Sequence, residues 1–135
     1  MKYSLLFLAF TLVNIVAKAQ ATTTTDSVEE QRVYTKVDKE CQFKGSWRDF
    51  LVANLNPDVP GKHGAPVGTY TTIIQFIVMK DGSLSDIKCI KDPGFGIAKE
   101  AIRVIKLSPK WMPGIQNGHP VNSLHQQPFT FVVQL

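Results

Sequence analysis

Hydrophobic and polar positions divide the chain into an apolar opening run, a polar stretch and a series of short periodic segments. Residues 5–16 are apolar except for Thr11 and Asn14, and residues 20–31 (QATTTTDSVEEQ) are polar without any apolar period. From Arg32 the character changes. Val33, Thr35 and Val37 alternate with other residues, predicting a short extended segment that ends near Cys41. Trp47, Phe50, Leu51 and Leu55 then recur at helical spacing behind Ser46, which with Asp49 forms an S-x-x-D start. The predicted helix opens at Ser46 and stops at Pro57. Residues 56–68 hold three prolines and three glycines and read as a loop.

The clearest strand lies over residues 69–80, TYTTIIQFIVMK. Tyr70, Thr72, Ile74, Phe76 and Val78 fall on one face and Ile73, Ile77 and Met79 on the other, which predicts a central strand. Asp81-Gly82 predicts a tight hairpin with both central residues at positive φ, returning through residues 83–91. A second helix is expected over residues 97–107, where Ile97, Ala101, Val104 and Ile105 line one face and Pro109 follows. After a turn-rich piece over residues 113–120, a last strand is expected over residues 124–135. There Phe129, Phe131, Val133 and Leu135 alternate with Thr130, Val132 and Gln134. Helix, hairpin, helix, strand predicts an α+β two-layer sandwich, a small antiparallel sheet with two helices on one face.

The opening run changes how charge is read. Lys2, the apolar stretch and Ala17-Lys18-Ala19 have the layout of a cleaved secretory signal peptide over residues 1–19, too short to span a bilayer. Residues 20–31 would then be a flexible leader and residues 32–135 the domain, exported to the periplasm. The formal net charge of +4 falls to +2 without Lys2 and Lys18, and the charge is not clustered. Nucleic acid is not an expected partner. In an oxidising compartment Cys41 and Cys89 could pair, a crosslink worth about 4 kcal/mol; the alternative is two buried thiols.

Candidate chemistry is sparse. His63, His119 and His125 have no acid or cysteine between Arg103 and the end to complete a metal site, which needs about four ligands. Neither cysteine is marked as an activated nucleophile, Asp49 and Asp81 are accounted for by a cap and a turn, and no glycine-rich loop cradles phosphate. No catalytic residue, cofactor, metal or small-molecule substrate is expected. The last strand is different. Residues 124–135 contain no charged side chain, so an exposed edge there would lack gatekeepers against pairing with another chain, apart from Pro128. The alternative is that this strand is interior or covered.

The chain also resembles the carboxy-terminal domain of TonB, in the form common among Bacteroidetes. The resemblance runs over roughly residues 40–135. It begins at Phe43-Lys44-Gly45 and the helix ending Leu55-Asn56-Pro57, and continues through the strand pair from Gly68 to Lys88. It is most specific in the run from Ser108 through Trp111, Pro113, Gly114, Gln116, Asn117 and Gly118 to Pro120 and Val121. Ser46 stands where the family has a second glycine, and the usual Tyr before Pro57 is missing. The resemblance implies a binding role in which an extended segment of an outer-membrane transporter pairs with the last strand. The residues concerned would be Gln126, Gln127, Phe129, Thr130, Phe131, Val132, Val133 and Gln134. It further implies TonB-dependent transport, although the amino-terminal membrane helix and proline-rich spacer of an energy transducer are not seen. A detached exported binding module is therefore expected. The other reading is a structural protein that forms a homodimer through the same edge.

Overall fold

A computed structural model describes residues 23–135, with side chains from Ser27 onward. The expected signal peptide lies outside the described residues. The chain divides into two units, Met1–Glu30 and Gln31–Leu135. Helix α1, Thr23–Gln31, is the described part of the first and reaches one residue into the second. Within the stretch where a flexible leader is expected, these residues are helical. No Gly or Pro interrupts it, and it lacks an apolar stripe, Val28 being largely exposed.

In the second unit the elements are β1 (Val33–Tyr34), α2 (Trp47–Asn54), α3 (Val59–Lys62), β2 (Gly68–Val78), β3 (Leu84–Lys91), α4 (Ile97–Leu107), β4 (Gly114–Gln116) and β5 (His119–Val133). The sheet order is β1-β5-β2-β3, with β4 paired to the start of β5. The α+β class stands, but the sheet is mixed, since β1 runs parallel to β5 through Val33↔Asn122 and Tyr34↔Ser123. Asn122 fixes that junction. Its Oδ1 accepts from the Lys80 N–H (2.8 Å) and its Nδ2 donates to the Arg32 carbonyl (3.3 Å).

Local chemistry explains the boundaries. The Ser46 hydroxyl accepts from the Asp49 N–H (3.2 Å) and caps α2, as the S-x-x-D pattern requires. Four residues of the expected loop form α3, because proline is tolerated in a first helical turn, and Pro60 there is buried. The β2–β3 turn is one residue longer than expected. Gly82 donates to the Met79 carbonyl and Met79 to that of Ser83, so residues 80–82 form the loop and only Gly82 (φ 86) is left-handed. Asp81 instead accepts from the Ser83 N–H (2.9 Å) and hydroxyl (2.6 Å). The turn-rich piece before the last strand is itself a hairpin, whose turn residues Asn117 (φ 50) and Gly118 (φ 76) join β4 to β5. The last strand therefore starts at His119 and stops at Val133, leaving Leu135 exposed.

The core lies between one sheet face and the helices. Ile74, Phe76 and Val78 of β2 and Phe129 and Phe131 of β5 meet Ile97, Ala101, Val104 and Ile105 of α4, with Trp111 and Cys41 enclosed. The opposite face of β2, with Ile73 and Ile77, is half-buried. Cys41 is buried and Cys89 half-buried, and both are free. Cys89 stands opposite Ile74, and Ile74 opposite Gln127, so Cys89 is roughly 10 Å from β5. Cys41 faces the hydroxyl of Ser123, four residues or roughly 13 Å further along β5. Bridged cysteines need Cα atoms within about 7 Å. Burial pushes the Cys41 thiol pKa up, and the Ser123 oxygen has no hydrogen-bond partner of good geometry.

Candidate partner-binding edge

β5 pairs with β2 without interruption from Ser123 to Val133. On its other side β1 meets it only at Asn122 and Ser123. Among the described residues, no strand lies along that second side from residue 124 to 133. The last strand is thus neither interior nor a full edge; it is half-paired along most of its length.

Pro128 shows which backbone groups face the open side. In an antiparallel ladder, alternate residues exchange both hydrogen bonds with the facing strand and the rest point away. Pro128 has no N–H, yet the ladder continues through Ile73↔Pro128 and Thr72↔Phe129. Residue 128 must occupy a position that donates nothing to β2. Leu124, Gln126, Thr130 and Val132 share its phase and direct their N–H and carbonyl groups to the open side. Side chains alternate with the same period. Phe129 and Phe131 are buried beneath the helices, whereas Gln126, Pro128, Thr130 and Val132 are exposed, Val132 by 56%.

The residues expected to bind a partner therefore separate into two sets. Phe129, Phe131 and Val133 give their backbone groups to β2 and their side chains to the core side. Gln126, Thr130 and Val132 give their backbone groups to the open edge. Gln127 is occupied locally, its Oε1 3.2 Å from His125 Nε2 and its Nε2 donating to the Pro128 carbonyl (3.3 Å). The Gln126 amide donates to Gln75 (3.2 Å), Thr71 and Thr130 hydroxyls are 3.2 Å apart, and Gln134 lies just beyond β5.

The sheet's other edge, β3, is guarded. It carries Asp86, Lys88 and Lys91, with an ion pair between Asp86 and Lys88 (3.6 Å). Asp86 has φ 49, and pairing with β2 shifts register nearby, so the strand is kinked. Charge and kink both disfavour strand addition. The open side of β5 has no charged residue and an unbroken register.

His125 packs between the rings of Phe76 and Trp111, centroids 5.3 and 5.2 Å away, and the His63 ring nitrogen Nδ1 is 2.8 Å from the Val59 carbonyl. Among the described residues, no three His, Cys, Asp or Glu side chains come together, and no helix is long and apolar enough to cross a membrane. Sequence reasoning missed the phase of the edge, for which Pro128 is the signal. Residues 70–133 match the family model described as Gram-negative bacterial TonB protein C-terminal. Comparison with curated proteins finds no match.

Proposed function

We propose that the chain, whose residues 70–133 match a TonB carboxy-terminal family model, is an exported, non-catalytic binding module that takes an extended segment of an outer-membrane transporter as a new strand beside β5. The observation that carries this reading is the open, uncharged side of residues 124–133. Affinity would come chiefly from backbone hydrogen bonds to Leu124, Gln126, Thr130 and Val132, each worth about 1 kcal/mol net. Peptides from the amino-terminal regions of transporters encoded beside this gene test it. The expected result is perturbation of the amides of residues 124–134, with affinity about fivefold weaker in Val132→Pro, which deletes an outward donor without touching the β2 ladder. Perturbation confined to other surfaces would sink the reading.

The same unguarded edge supports a second reading, a homodimer formed by two β5 edges around a two-fold axis. Light scattering separates the two: the dimer requires a mass that doubles with concentration, and binding as a monomer removes it.

A further inference from the structure

Helix α2 is held differently from the rest of the fold. None of its eight residues is buried, whereas six of the eleven in α4 are. Trp47, Phe50 and Leu51, with Leu55 just beyond, reach the core cluster only as half-buried side chains. Among the described residues, no backbone–backbone hydrogen bond ties residues 46–56 to another element. Two hydrogen bonds reach α4, and both end on one ion pair. The Asn56 N–H donates to Glu100 Oε1, and the Asn54 carbonyl accepts from Arg103 Nη2.

Both ends of this segment can act as joints. Gly45 precedes it at φ 105, a left-handed conformation, and a Cβ there would meet nothing. Shortly before that glycine the chain is fixed, because Gln42 exchanges backbone hydrogen bonds with Met112 (3.0 and 2.8 Å). Pro57 follows the segment and has no N–H to give. Beyond it α3 holds its own turn, Lys62 donating to the Asp58 carbonyl and Pro60 being buried.

The floor under the helix is fixed independently. Trp47 meets the Trp111 ring at 5.8 Å and the Phe129 ring at 5.7 Å. Trp111 is held by its backbone N–H on the Gly82 carbonyl (2.8 Å) and its indole N–H on the Ser108 hydroxyl (3.1 Å), and Phe129 lies in the β2–β5 ladder. None of these anchors involves α2. Departure of residues 46–56 would therefore leave both rings in place and uncover them, from 3% and 2% exposure.

From this arrangement we infer that residues 46–56 are a latch that leaves the domain as a unit while the sheet and α4 stay folded. Glu100 and Arg103 are its catch, and Trp111 and Phe129 form the surface it uncovers. An element with few buried apolar groups opens at a lower free energy than the core it covers. An eight-residue helix is marginal alone in water, so the freed segment loses its helical hydrogen bonds. The change is a local order–disorder transition between two hinges, and it is independent of what pairs with β5.

Native-state hydrogen exchange of the full chain tests it. Corrected for intrinsic rates, the amides of Phe50 to Leu55 should exchange at least about tenfold faster than those of Ile74 and Phe76 in β2. Low urea should hardly change the α2 rates, because detachment exposes little surface. Glu100→Gln should speed the α2 amides about tenfold or more, and Leu51→Ala, which trims the latch itself, about fivefold. Ile105→Val, beside Leu84 and Ile87 on the β3 side of α4, should speed the β2 amides about fivefold and leave those of α2 unchanged. Exchange of the α2 amides no faster than those of β2, or in step with them in Ile105→Val, overturns the latch. Unchanged α2 exchange in Glu100→Gln overturns the catch.

Discussion

The join between α2 and α4 makes a quantitative prediction about Glu100. This carboxylate is nearly buried, 8% exposed, and accepts three hydrogen bonds: Oε1 from the Asn56 N–H (2.9 Å) and Arg103 Nη2 (2.6 Å), Oε2 from Arg103 Nε (2.9 Å). Arg103 Nη2 also donates to the Asn54 carbonyl (2.6 Å), so one ion pair fastens α4 to the chain leaving α2. In Glu100→Gln the amide oxygen keeps part of this set, but the amide nitrogen faces the guanidinium donor to donor. Hydrogen bonds to charged groups contribute about 1.5–3 kcal/mol each. Arg103 is half exposed, and solvent screening reduces its share. The expected loss is about 2 kcal/mol at pH 7, or roughly 10 °C in Tm for a domain of this size.

pH supplies the sign. The Arg103 hydrogen bonds, followed by that from Asn56, hold the Glu100 pKa below its usual 4.5. The unfolded chain therefore takes up the proton first, and the contribution is fully present above the unfolded value and lost as pH falls through the depressed folded one. Urea unfolding followed through Trp47 and Trp111 fluorescence should show the full difference between wild type and Glu100→Gln at pH 7. The difference should shrink progressively below about pH 4.5. A difference that stays constant to pH 2, or one under about 0.5 kcal/mol at pH 7, would refute the assignment of the charge to this clamp.

Neighbouring residues of β5 should respond oppositely to proline: Val132→Pro should cost about 1 kcal/mol or less, whereas Phe131→Pro removes a β2 hydrogen bond and a buried ring and should cost at least about 4 kcal/mol, measured by denaturant unfolding. Gly82→Ala would place a Cβ 2.3 Å from the Trp111 carbonyl oxygen at φ 86, so the hairpin tip must move; a Tm drop equivalent to about 2 kcal/mol is expected, and an unchanged Tm would show that Trp111 is not held there. A thiol reagent should label half-buried Cys89 well before Cys41, which is buried and has a raised pKa, and reductant should leave Tm unaltered; a shift in Tm would mean that the thiols are crosslinked after all.

Local signals reached those elements whose two ends are chemically marked. α4 lies between Gly96 and Pro109, α2 between Ser46 and Pro57, and β2 is an uninterrupted alternation ending in the Asp81-Gly82 turn. What escaped depends on pairing across distance. β1 is two residues long and exists because Val33 meets Asn122, 89 positions away, so the extended segment expected to run on to Cys41 bends off after Tyr34. β4 is too short for periodicity to reveal, although Asn117-Gly118 has the residues of a tight hairpin turn. The candidate edge was recognisable in part. Absence of charge over residues 124–135 and the proline at 128 are readable directly, but which side β2 occupies, and that β1 stops at Ser123, are tertiary facts.

Pro128 has a consequence beyond register. A long uncharged edge invites pairing along its whole length with any exposed strand, its own copy included, and β3 avoids this with charge and a kink. Charges at Thr130 or Val132 would guard β5 equally well, at the cost of any partner strand. A proline in the outward phase acts differently. It leaves every bond to β2 intact and deletes one donor from the middle of the open side, dividing ten residues into two short stretches. Self-pairing that runs across residue 128 loses a hydrogen bond from each copy. A short segment that pairs only beyond Pro128 loses none. Under the strand-addition proposal, the missing N–H would therefore favour a short partner segment over a second copy of the chain.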